Sequence, residues 1–227
     1  MSALLGLVAA AALQPAVPIR TQSWIALEDY PAMSVVGKEE GVLSFSLLVS
    51  PEGKAVRCDI TYSELSPEIG DASCDALTAR ARFHPAKNAA NQPVFTVVDG
   101  NMSWRIGFAS TTPHTLGPTT VEPVISWRGK AIYPEFPSGY TARDYDVVVP
   151  ETLLGSAEKT VTFLTMIDTS GHVVECDVDR RYRSYTRLRA IGCEQLRAEF
   201  VQPVNDGSAQ PVSAMKTVAV RFKADET

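Results

Sequence analysis

Apolar and polar residues alternate along this chain in short bursts, and they do so twice in the same order. Leu43, Phe45 and Leu47 alternate with small or polar partners, as do Val161, Phe163 and Thr165. A period of two predicts a strand with one buried face. Each burst runs into a glycine turn, "SPEG" (50–53) or "DTSG" (168–171), where Gly53 or Gly171 can take positive φ. A second strand follows. Val56, Cys58 and Ile60 share one face with Arg57 and Asp59 on the other, and Val174, Cys176 and Val178 repeat the apolar face. Two strands about so short a turn predict a β-hairpin.

Then the period changes. Cys74, Leu77 and Ala81 fall on one helical face, and Cys193, Leu196 and Phe200 repeat the spacing. Ser66 and Pro67 are the expected N-cap and first helical residue, and Pro85 and Pro203 mark the helix ends. A last strand is expected at about 94–106 and at 212–222, where Val218, Val220 and Phe222 alternate. Strand–strand–helix–strand, read twice, predicts an α+β fold: two tandem modules, each a small antiparallel sheet covered by a helix.

The repeat extends to landmarks outside these elements. Trp24 precedes Tyr30-Pro31 by six residues, and Trp127 precedes Tyr133-Pro134 by six. Phe83 matches Phe200, and Pro85 to Pro93 spans eight residues, as does Pro203 to Pro211. The modules are placed at 22–108 and 124–227, joined by a Thr/Pro-rich linker at 109–123. The second carries about ten extra residues within 141–158. The four cysteines fit this layout. Cys58 and Cys176 point inward from a strand, and Cys74 and Cys193 point inward from the helix above it. Disulfides Cys58–Cys74 and Cys176–Cys193 are therefore expected.

Composition narrows the function. Net charge is −5, which disfavours nucleic-acid binding. His84, His114 and His172 are scattered without metal-ligand spacing, and no phosphate loop or nucleophile elbow occurs, so no metal, cofactor or catalytic residue is assigned. Ala3 to Leu13 is an unbroken apolar run of 11 residues, too short to span a bilayer, which takes about 20. Residues 1–16 read as an export signal cut near Ala12 or Ala16, which places the mature chain in the periplasm, where disulfides persist. Two features invite other chemistry. "MIDTSGHVVECDV" (166–178) suggests an aspartic hydrolase using Asp168, but the matching turn offers Ser50 and no second carboxylate. Arg180, Arg181, Arg183, Arg187 and Arg189 form a basic patch for an anionic partner, with Tyr182 and Tyr185 between them.

The ordered set from Tyr30-Pro31 and Gly41 through Gly53, the helix to Phe83, Pro85 and Pro93-Val94 resembles the C-terminal domain of TonB-family energy transducers. The second half matches more loosely through Tyr133-Pro134, Gly171, Phe200, Pro203 and Pro211-Val212. The resemblance implies a non-enzymatic, transport-related binding module. Its partner would be an envelope protein, such as a segment of an outer-membrane receptor. Binding would proceed by edge-strand pairing, and the last strand of each module is the expected edge: Val94, Phe95 and Val97, then Val212, Val218 and Val220. The family's membrane-spanning helix and Pro-rich spacer are not recognisable, so binding without force transmission is expected. A cell-wall structural role, with peptidoglycan as partner, is the alternative, and homodimerisation is compatible with either.

Overall fold

The computed structural model describes residues 12–105, 145–155 and 158–225. The linker and the landmarks Trp127 and Tyr133-Pro134, like His114, lie outside them. In chain order the first half contains β1 (Val17–Ile19), α1 (Ala32–Val36), β2 (Gly41–Val49), β3 (Ala55–Ser63), α2 (Pro67–Arg80), β4 (Arg82–His84), β5 (Ala86–Lys87) and β6 (Pro93–Trp104). The second contains β7 (Tyr145–Val149), α3 (Glu151–Leu154), β8 (Lys159–Ile167), β9 (Val173–Val178), α4 (Thr186–Glu199), β10 (Val204–Asn205), β11 (Pro211–Val212) and β12 (Ala214–Ala224).

The α+β class is as expected, but the sheets are not separate. The strands run β3-β2-β6-β12-β8-β9 in one sheet, with β5 beside β6 and β7 beside β12. Pairing within each half is antiparallel between its long strands. The halves meet where β6 and β12 lie parallel for two residue pairs, Phe95 with Ala214 and Thr96 with Met215. Two buried threonines bracket this join. Thr96 donates its hydroxyl to the Met215 carbonyl and Thr165 to the Lys216 carbonyl, each at 3.1 Å.

The helices cover opposite faces of the sheet. On β8, Val161, Phe163 and Ile167 pack in a core with Leu188 and Leu196 of α4, whereas Leu164 and Met166 pack in the other core with Ile69 and Leu77 of α2. Successive strand residues point to opposite faces, so the two cores lie on either side. Leu48 and Val97 reciprocate by entering the α4 core from the first half. Each core is thus completed by the other half's back face.

Both disulfides are present, with Cα atoms 5.4 Å apart in Cys58–Cys74 and 5.7 Å in Cys176–Cys193. They tie β3 to α2 and β9 to α4. The expected face of β3 is interrupted by a bulge. Ala55 pairs with Val49 and Arg57 with Leu48, which leaves Val56 as the extra residue. Val174 is the extra residue in β9, between Val173 opposite Ile167 and Glu175 opposite Met166. Ala55 and Val173 therefore point inward, while Val56 and Val174 are exposed.

Three further expectations are corrected. Ser66 stands at the N-cap of α2, but its hydroxyl makes no cap bond. Instead the Ser66 backbone N–H donates to the Glu39 carboxylate. Phe83 and Phe200 are not equivalent: Phe200 ends α4 as Ala81 ends α2, its N–H bonded to Leu196 as that of Ala81 is to Leu77. The counterpart of Pro31 and α1 is Pro150 and α3, with backbone angles of −59°, 132° at Pro31 and −55°, 137° at Pro150. Residues 150–155 thus have a counterpart in the first half, whereas β7, paired along β12, has none along β6 among the described residues. The aromatic landmarks of the first half earn their spacing by packing. Trp24 meets Phe83 at 5.0 Å and Tyr30 meets Trp104 at 4.8 Å between ring centroids.

Each disulfide closes a loop of 16 or 17 residues, worth roughly 3 kcal/mol in the chain-entropy model. Calorimetry of a Cys176→Ala/Cys193→Ala variant is expected to show that loss, with Tm falling on top of it when the native protein is reduced. Glu39 supplies a pH signature. The Ser66 N–H holds its carboxyl below the ordinary value of 4.5. A depressed carboxyl stabilises the fold above its unfolded pKa and loses that contribution as pH falls through the folded value. Glu39→Gln is therefore expected to lower Tm at pH 7, with the gap to the native protein closing below about pH 4.5.

Candidate functional site: two outer strands and an arginine cluster

The residues expected at a free edge are all paired with other strands. Val218 and Val220 sit on β12, which pairs with β8 over 214–222 and with β7 over 220–224. Val94 pairs with Ala86, Phe95 with Ala214, Val97 with Leu48, and Val212 with Val204. The reason is the join itself: the last strand of each half lies at the junction between them. The outer positions fall to β3 and β9. Among the described residues, β3 pairs with β2 and β9 with β8, and the only further bridges, Lys54 to Arg82 and His172 to Val201, sit at the hairpin turns.

The two hairpin turns are built alike. Gly53 and Gly171 have φ of 78° and 87°, and a Cβ there would come within 2.0 Å of the Phe83 carbonyl oxygen or 2.3 Å of the Pro203 nitrogen. Only glycine allows that approach. Asp168 accepts hydrogen bonds from Ser170 N–H at 2.9 Å and His172 N–H at 3.0 Å. Ser50 accepts from Glu52 N–H at 3.3 Å in the matching turn. Asp168 is thus a turn cap, as Ser50 is. Among the described residues no group of His, Cys, Asp or Glu is placed to hold a metal.

The loops before the last strands also match, and each reaches across to the other half. Asn88 Oδ1 accepts from Ala90 and Gln92 N–H, and Asp206 Oδ1 accepts from Ser208 and Gln210 N–H. Asn91 and Ala209 take the same left-handed turn, at φ of 59° and 60°. From the first loop Ala89 N–H donates to Glu175 on β9 at 3.0 Å. From the second, the Asn205 carbonyl accepts from Arg57 on β3. Equivalent positions of the two outer strands therefore carry opposite charges, each matched to the loop that reaches it. These contacts were not read from the sequence, though the Arg57/Glu175 difference within an otherwise matching strand was visible there.

The arginine cluster divides in two. Arg181 pairs with Asp179 at 3.0 Å and Arg189 with Asp177 at 3.1 Å. The Asp179 partner raises the Arg181 pKa further. Arg180, Arg183 and Arg187 are exposed and have no acidic partner among the described residues. Tyr182 and Tyr185 lie 6.1 Å apart beside them, with Lys159 over the Tyr185 ring at 5.8 Å. Lys216, half-buried on β12 next to the join, donates to Gln202 at 2.7 Å, and burial pushes its pKa down.

A family model described as the Gram-negative bacterial TonB protein C-terminal matches residues 27–106. That span runs from just before Tyr30 through α1, β2, β3, α2 and β6. Residues 27–106 form a TonB C-terminal-like domain. No curated protein and no solved structure matches the chain. TonB C-terminal domains are envelope-associated protein-interaction modules. Among the described residues, no helix of the TonB-like domain or of the second half is long and apolar enough to cross a membrane.

Replacing Asp168 separates a turn cap from a catalytic acid. Asp168→Ala is expected to cost about 1 kcal/mol in denaturant unfolding, the usual worth of a turn hydrogen bond. Asp168→Ser, which restores the acceptor that Ser50 provides, should recover most of it.

Proposed function

We propose that this is an exported periplasmic protein that binds an extended segment of an envelope partner, such as an outer-membrane receptor, by adding that segment to an outer strand of its sheet. The observation that carries the reading is the position of β3 and β9 at the two ends of the strand order. An outer strand presents backbone donors and acceptors that a peptide can pair. The disulfides suit such a role, because each fixes an outer strand to the helix beneath it. Residues 22–108 and 124–227 are read as two TonB C-terminal-like modules. Support comes from the matching turns at Gly53 and Gly171, the matching loops at Asn88 and Asp206, and the paired helix ends. The same reading makes the protein a binder and not an enzyme.

Export by residues 1–16 belongs to this proposal, and the fold favours the earlier cleavage position. Leu13 and Ala16 are buried, and Gln14 exchanges backbone hydrogen bonds with Lys87 at 3.0 and 2.8 Å. Removal through Ala12 keeps these contacts. Intact-mass measurement of the secreted protein is expected to find a chain starting at Leu13, and one starting at Val17 would contradict this.

Photo-crosslinking in the cell envelope tests the binding surface. A photoreactive residue at exposed Thr61 on β3 or Val174 on β9 is expected to capture an envelope protein, whereas one at buried Val218 is not. Capture from Val218 only, or from none of the three, would sink the proposal.

A further inference from the structure

The two outer strands are not equivalent in charge, and the difference bears on what each can recognise. A groove of about 560 Å³ runs beside β9, and its lining includes Leu13, Ala89, Glu175, Asp177, Arg183 and Arg189. Cys176 lines it too. Three consecutive strand residues alternate between faces, so a space that all three reach lies along the strand's edge. Asp177 in it pairs with Arg189 at 3.1 Å, while Glu175 accepts from the neutral Ala89 N–H at 3.0 Å and keeps its charge. Arg183 has no acidic partner among the described residues, nor have Arg180 and Arg187 close by in the chain. The groove's own lining balances two carboxylates with two arginines, but the stretch 175–189 carries five arginines against three carboxylates, a local positive excess in a chain of net charge −5. The matching stretch from the end of β3 into α2, "TYSELSPEIG" (61–70), has no arginine or lysine.

Resting on the reading of β9 as a strand-accepting edge, we infer that the β9 groove takes an extended acidic peptide. Its main chain continues the sheet beside β9, and its carboxylates meet Arg183, Arg180 and Arg187. The guanidinium fork matches a carboxylate in two parallel hydrogen bonds, which a lysine cannot copy. A peptide fits better than a charged surface, because the groove is a recess along a strand, with Leu13 and Ala89 of the first half lining it. The arginine on β3, Arg57, is held by Asp59 and the Asn205 carbonyl, and no arginine cluster follows that strand, so the β3 edge does not share the preference and the two ends of the sheet select different partners.

The test uses the full oxidised chain and fluorescent peptides of alternating Glu and Val, or Lys and Val, read by anisotropy at about 0.1 M salt. The Glu/Val peptide is expected to bind at least about tenfold more tightly than the Lys/Val peptide. The Arg180→Glu/Arg183→Glu/Arg187→Glu variant should lose that preference, while circular dichroism and the absence of free thiols confirm its fold. The Lys version of the same triple should keep only part of the affinity. Equal binding of both peptides, or unchanged binding by the Glu variant, overturns the inference. So does arginine-dependent binding to peptidoglycan sacculi or phosphatidylglycerol vesicles without peptide binding. Crosslinks from Thr61 or Val174 to an envelope protein that persist without acidic-peptide affinity would remove this inference and leave the broader function standing. Loss of the crosslinks themselves would remove the broader function.

Discussion

Phe95 and Thr96 lie beside Ala214 and Met215 in parallel register, with the Thr96 hydroxyl bonded to the Met215 carbonyl at 3.1 Å. Most of the architecture depends on this contact. A parallel meeting of two equivalent strands relates the halves by a rotation about the strand direction, and such a rotation turns the sheet over. One helix therefore ends on each side. Each half's uncovered face is left for the other to bury, which is why Leu164, Met166 and Met215 belong to the first core and Leu48 to the second. It also removes the last strands from solvent and leaves β3 and β9 as the outer pair.

The local elements were legible because their signals are local. The glycine turns, the hairpins, the helix faces and both disulfides follow from spacings of a few to 17 residues, where geometry leaves few choices. The bulges at Val56 and Val174 were not, since a strict alternation carries no mark of one extra residue. The join was harder still. Periodicity says which face a residue takes and not which strand lies alongside. One clue existed: Phe163, Leu164, Met166 and Ile167 place apolar side chains on both faces of β8, as a strand buried on both sides requires. Ser66 misled through residue type. It has the right position for a cap, but Glu39, 27 residues upstream, already holds the N–H.

The candidate site shows the same division. Asp168 and the arginines could be named from the sequence, but their roles depend on neighbours. Asp168 is occupied by its own turn, as an Asp before two residues and a Gly usually is. Two of five arginines are neutralised by Asp177 and Asp179, and three have no acidic partner among the described residues. A run of like charges in sequence therefore overstated the positive field, and pairing decides where it points.

The disulfides also bear on how the chain assembles. Each bridges residues 16 or 17 apart, within a hairpin and the helix after it, whereas the join brings together residues 119 apart. Short loops close at lower entropic cost and sooner than long ones. Oxidation can thus lock each hairpin to its helix while the sheet is still in two pieces, with Leu48 and Leu164 uncovered. The crosslinks hold the parts, and the sheet is completed afterwards. The vulnerable species on the route to this fold is a pair of oxidised halves with bare back faces, so pairing with a second chain competes with the internal join for as long as those faces stay open.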